Sequence, residues 1–120
     1  MSTWSDGSKT EKLLCSLLES KGWITRRFPK SRFGKQDVWG CDIIAKKLGK
    51  TLWIQVKSRK DSMPGIERSV LKEMDELWNH TDDSSESLLW AGYNRKTKVW
   101  KIVEVTHPLT GGYEPYEIES

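Results

Sequence analysis

Apolar and polar positions change period along the chain, and the changes mark the elements. Between Lys9 and Lys21, Leu14, Cys15, Leu17 and Leu18 recur at helical spacing, and Gly22 follows as a stop. The pattern predicts a helix over 9–21, preceded by a polar, frayed segment from Met1 to Gly7. Trp23 to Phe28 reads as a strand that Pro29 ends. Lys30 to Gly40 is a long basic loop. Cys41 to Ala45 and Leu52 to Lys57 are apolar, β-branched arms around Leu48-Gly49-Lys50, the pattern of a hairpin. Ile66, Val70, Leu71, Met74, Leu77 and Trp78 form one stripe of a second helix, predicted over 64–79 and opened by Pro64. The acidic loop His80–Ser87 leads to strands at 88–93 and 99–105, joined by the basic turn Asn94–Lys98. The tail from His107 carries Pro108, Gly111, Gly112 and Pro115 and is predicted to be irregular.

Three polar residues interrupt the hairpin. Side chains alternate faces along a strand, so Gln55 and Lys57 share a face, and Asp42 joins them if the register allows. A carboxylate, an amide oxygen and an ammonium on one patch are costly to desolvate unless something binds there. A divalent metal and a phosphate would satisfy all three.

Composition adds limits. With 120 residues, 31% charged and 36% hydrophobic, the chain predicts one soluble domain over 1–120, with a core at about 9–105 and the tail at 107–120. It has no apolar run of about 18 residues, so no membrane partner is expected. The N-terminus lacks a signal-peptide layout. Cys15 and Cys41 read as reduced core residues, and His80 and His107 are too isolated for a zinc site, so an intracellular location is expected. Net charge is +3, but the tail 107–120 holds Glu114, Glu117 and Glu119 and no base. Residues 1–106 therefore carry 20 basic and 14 acidic residues, net +6. Arg26, Arg27, Lys30, Arg32 and Lys35 cluster without an acid between them, as in a phosphate-backbone binder. A solvated loop without a partner is the plainer reading of that cluster.

The order of features resembles the archaeal-type Holliday junction resolvases and their phage relatives, within the PD-(D/E)xK nuclease superfamily. The features are a helix bearing Glu11, the pair Gly22-Trp23, a strand ending in Arg27, and a basic loop containing Ser and Gly. Asp42 follows, then Gln55-Val56-Lys57-Ser58-Arg59. The resemblance covers about 9–105. It implies an α/β fold with a restriction-endonuclease-like core, a mixed sheet of about five strands flanked by helices. It also implies a Mg²⁺-dependent endonuclease, with Mn²⁺ as a substitute, that cuts four-way DNA junctions as a homodimer. Location would be the cytoplasm or nucleoid, or the host cytoplasm for a phage protein. A nuclease for other branched, nicked or single-stranded DNA, a non-catalytic DNA-binding relative, and an RNA nuclease remain as alternatives.

The resemblance also assigns roles. Asp42, the Gln55 side-chain oxygen and the Val56 carbonyl would hold the metal, and Lys57 would act on the attacking water or the phosphate. Gln55 departs from the usual Glu and removes one negative charge. Glu11 matches the family's early catalytic glutamate, a possible metal ligand. On residues alone, Ser8-Lys9-Thr10-Glu11 is equally a capping box. Arg27 matches a phosphate-binding arginine, with a surface salt bridge as its other reading, and Lys12 stands where the family often has arginine. Arg26, Lys30, Ser31, Arg32, Lys35, Arg59 and Lys60 complete the predicted DNA contacts. Asp37 is a second candidate carboxylate. Phe33 and Trp39 are candidates for base stacking or for core packing.

Overall fold

Ten residues, Lys50–Arg59, form the longest strand, β3, and the sheet is built outward from it. The computed structural model describes residues 3–28, 39–82 and 84–118. In chain order the other elements are α1 (Thr3–Ser20), β1 (Ile24–Arg27), β2 (Ile43–Lys47), α2 (Arg68–Trp78), β4 (Glu86–Asn94), β5 (Val99–His107) and β6 (Gly112–Pro115). The six strands lie in sequence order across one sheet. All neighbours are antiparallel except β3 and β4, which run parallel with α2 as the crossover. A parallel pair needs such a crossover, which explains why the second helix separates these two strands.

Both faces of the sheet are covered. Leu14, Cys15 and Leu18 of α1 pack on Ile43, Ala45, Leu52, Ile54, Val56, Leu89 and Ala91. On the other face Val70, Leu71, Met74 and Leu77 of α2 pack on Leu88, Trp90, Val103 and Val105, with Cys41 among them. The predicted α2 stripe is thus spent on the sheet. Truncating a fully enclosed side chain such as Met74 to alanine would cost about 2–5 kcal/mol. Cys15 and Cys41 are free and buried, as the sequence predicts. Among the described residues, no helix is long and apolar enough to cross a membrane.

Four expectations need correction. The tail is not irregular, because β6 pairs with β5 within it as a sixth strand among the described residues. Gly111 lies in the turn between β5 and β6 and Gly112 opens β6, so their glycine signal marks a hairpin rather than an unstructured end. The first helix starts at Thr3, ahead of the predicted Lys9, so the N-terminal segment is helical. Pro64 does not open the second helix: residues 64–67 are non-helical and the N-cap is Glu67. Pro64 is itself buried, so packing fixes this segment where the N1 preference of proline would have started a helix. The acidic loop is also shorter than predicted, since β4 begins at Glu86.

Candidate active site

Asp42 lies one residue before β2 and is tied to three places at once. Its N–H donates to the Ile54 carbonyl at 2.7 Å, and its carbonyl accepts the Phe28 N–H at 2.9 Å. Its Oδ2 accepts the Val56 N–H at 2.9 Å. The carboxylate is therefore fixed against the backbone of β3 between Gln55 and Lys57. The chain enters this position through Trp39 and Gly40, both with left-handed backbone, at φ 52° and 76°. A Cβ on Gly40 would also lie 3.2 Å from the Val70 carbonyl oxygen, so glycine suits the position twice over.

Gln55 and Lys57 alternate with Val56, which faces α1. They therefore stand on the α2 face, beside Trp90 and Gly92 in the β3–β4 register. Gln55 is 1% exposed. Its Nε2 leans toward the Val56 carbonyl at 3.4 Å. Its Oε1 is buried without a hydrogen-bond partner, and so is the indole N–H of Trp90 on the neighbouring strand. A buried, unsatisfied acceptor costs about 1–3 kcal/mol, which a bound cation would relieve. Hard oxygen donors are what Mg²⁺ or Mn²⁺ requires, and Asp42 and Gln55 Oε1 provide them side by side. Among the described residues, no group of three or more His, Cys, Asp or Glu is placed to hold a metal. The oxygens that the resemblance assigns to a metal include an amide and a backbone carbonyl instead. Lys57 Nζ lies 3.7 Å from Glu67 Oε1.

Glu11 reaches the sheet from the other side, within the α1 layer. It is 2% exposed, and its Oε1 accepts Arg27 Nε at 3.2 Å. Arg27 Nη2 donates to Ser8 Oγ at 2.8 Å. The capping-box alternative is corrected: Ser8 lies inside α1, where no helix start is available for it to cap. Arg27 forms a salt bridge, as its plainer reading has it, but with a buried carboxylate. Arg27 pairs with Ile43 across the β1–β2 ladder, next to Asp42.

Apart from Arg27, the predicted DNA contacts divide into two groups. Lys12, Arg26, Arg59 and Lys60 are exposed. Arg59 ends β3 and Lys60 follows it, and the Arg59 carbonyl accepts the Arg95 N–H at 2.9 Å. That contact brings the turn Asn94–Lys98 alongside and builds one basic edge beyond Lys57. Lys30, Ser31, Arg32 and Lys35, with Phe33 and Asp37, lie outside the described residues. Phe28 and Trp39, which flank that loop, both pack on Trp53. Phe28 stacks at 6.3 Å between ring centroids and Trp39 meets it edge-on at 5.8 Å. Trp39 is 39% exposed, so it is neither a core plug nor a free ring.

Glu67, Trp90 and Gly92 also line this site, though nothing local in the sequence singles them out. They reach Gln55 and Lys57 only through the parallel register and the α2 crossover.

The family model for the archaeal Holliday junction resolvases (Hjc) matches residues 2–119. The chain belongs to this family. It is a Holliday junction resolvase, a nuclease of DNA recombination and repair whose substrate is junction DNA. Nucleases of this family are typically metal-dependent. Hjc from Archaeoglobus fulgidus, a Holliday junction resolvase from an archaeal hyperthermophile, has a similar solved structure. The TM-score is 0.62 at 19% identity, over 80% of this chain and 74% of that one. This likeness shows the fold, a restriction-endonuclease-like mixed sheet with two helices. No curated protein sequence matches the resolvase.

Proposed function

We propose that Asp42, Gln55 and Lys57 form the catalytic centre of this resolvase, with Mg²⁺ as its metal and Mn²⁺ as a substitute. One observation carries the reading: the Asp42 carboxylate is pinned to the Val56 N–H, beside the orphaned Gln55 oxygen. Asp42, Gln55 Oε1 and the Val56 carbonyl would hold the ion. Bound there, the metal would neutralise charge on the phosphate and favour deprotonation of water.

The chain's own groups do the rest. Asp42 supplies the one fixed negative charge among these three residues. Gln55 adds an oxygen without charge. The Lys57 ammonium donates hydrogen bonds to the phosphate oxygens, where negative charge grows as the phosphodiester is attacked. Glu11 holds the Arg27 guanidinium near the end of β1, where its planar fork suits a backbone phosphate. Lys12, Arg26, Arg59 and Lys60 are exposed and are proposed to contact further phosphates, together with Lys30, Ser31, Arg32 and Lys35 of the loop. The domain is read as single, over 1–120. A homodimer is proposed because a four-way junction offers two symmetry-related strands and one chain offers one such centre. Junction DNA as substrate supports an intracellular site of action.

The test is cleavage of a synthetic four-way junction in Mg²⁺ and in Mn²⁺, beside duplex, flap and single-stranded controls, with Lys57→Ala as the blank. Paired nicks near the branch point, absent in the blank, are expected. Undiminished cutting by Lys57→Ala would overturn the assignment of the centre.

A further inference from the structure

Glu67 lies ten residues beyond Lys57, outside the motif that carries the active-site assignment. Its carboxylate nevertheless sits 3.7 Å from the Lys57 ammonium. Three observations show that the contact is built in. Glu67 is the N-cap residue of α2 with extended backbone, φ −81° and ψ 136°, and its side chain makes no capping hydrogen bond. The carboxylate at a helix start is thus directed at the sheet rather than at its own helix. The segment leading to it is anchored, because Pro64 is buried and Met63 Sδ lies 3.1 Å from where a Cβ on Gly92 would stand. Gly92 is the register partner of Lys57. The segment is therefore packed against the step of the sheet that carries Lys57.

The charge balance gives the contact a purpose. Asp42 is anionic, Gln55 is neutral and Lys57 is cationic, so these three residues sum to zero. A hard dication binds poorly to a site without net negative charge, and a flexible four-carbon ammonium beside it is repelled. Glu67 brings a carboxylate to the Lys57 side of this group from a different element. With 58% of the Glu67 side chain exposed, solvent screens the pair and it contributes little to stability.

We propose that Glu67 is a positioning residue of the active site. In this role its carboxylate holds the Lys57 ammonium in place for the scissile phosphate and compensates for glutamine at position 55. The inference rests on the reading of Lys57 as catalytic.

The experiment compares wild type, Glu67→Gln, Glu67→Asp and Lys57→Ala on a synthetic four-way junction. Single-turnover cleavage is measured at saturating protein in Mg²⁺, and junction affinity in Ca²⁺. Circular dichroism melting checks that each variant is folded. Glu67→Gln is expected to slow the cleavage step about tenfold with junction affinity unchanged or slightly tighter, since a negative charge has left a DNA-facing site. Glu67→Asp, which keeps the charge on a shorter arm, is expected to recover part of the rate. An unchanged rate in Glu67→Gln with Lys57→Ala inactive would overturn the role of Glu67 and leave the catalytic centre standing. A faster rate in Glu67→Gln would also overturn it, because the carboxylate would then be restraining Lys57. Full activity of Lys57→Ala would instead remove the centre on which the inference rests.

Discussion

The Asp42 carboxylate accepts the backbone N–H of Val56, fourteen residues away, and so joins the start of β2 to the middle of β3 at the proposed catalytic patch. One group would thus serve both the fold and the proposed chemistry. Asp42→Asn keeps an oxygen for the Val56 N–H but loses the charge, so cleavage should fall to background while the fold survives. Asp42→Ala leaves a buried N–H without its partner and should also lose about 1–3 kcal/mol of stability. Urea denaturation of both variants, beside junction cleavage, checks the difference.

Gln55→Glu restores an anion beside Asp42 in a site that is 1% exposed. Two carboxylates crowded there without a cation repel each other and resist desolvation. The variant should melt at a lower temperature than wild type in EDTA and recover on adding Mn²⁺. Its Mn²⁺ affinity by titration calorimetry should exceed that of wild type by tenfold or more. Equal affinity would mean that the Gln55 oxygen does not face the metal.

Breaking the Glu11–Arg27 pair should cost stability and rate together. Glu11 is buried and Arg27 is about one-third exposed, at 3% and 32% of their side chains, so solvent screens part of the loss. Glu11→Gln should destabilise by about 1–2 kcal/mol and loosen Arg27. Junction affinity, measured against salt concentration, should weaken. Unchanged affinity would confine Glu11 to the fold.

Gly92→Ala tests the packing beside Lys57. The new methyl would lie 2.7 Å from Cζ3 of the Trp90 ring, too close to keep. Displacing an indole enclosed in the core should cost about 1–3 kcal/mol, and the cleavage rate should fall more than for a surface glycine such as Gly65. Melting curves and single-turnover rates on Gly92→Ala and Gly65→Ala make the comparison.

Cys15 offers an independent check of the core. Burial pushes its thiol up, against a smaller lowering from the Thr25 side chain. A raised, enclosed thiol holds little thiolate at neutral pH, so native protein should react slowly with Ellman's reagent and both cysteines should react at once in denaturant. Fast reaction of a cysteine in the native state would contradict its burial.

The hairpin and its polar triad were legible because β pairing between near neighbours is written locally. Leu48-Gly49 gives the turn, and the apolar alternation gives the arms. The sequence left the register open, and the structure sets it so that Asp42 reaches the Val56 N–H. The α2 stripe was legible for the same reason, since an apolar face at helical spacing must pack on something. Other features were misread where two physical signals compete. Ser8 and Glu11 match a capping box in spacing, yet the helix already runs past Ser8, and the buried Glu11 finds Arg27 on β1. Gly111-Gly112 reads equally as a loose tail or a hairpin turn, and only the open edge of β5 decides for pairing.

The sequence by itself pointed to the family, through the order of its motifs, and determined that Gln55 and Lys57 share a face and that the second helix carries one apolar stripe. The last two follow from periodicity within a few residues. The tertiary structure alone decided that Arg27 closes on Glu11, that Gln55 carries an orphaned oxygen, and that Glu67 faces Lys57. The Gln55 and Glu67 features depend on the parallel β3–β4 pairing and on the crossover that places α2 over it, and the Arg27–Glu11 pair depends on how α1 packs beside β1. Pairing between distant strands is selected by how whole faces pack, and no local run of residues encodes it.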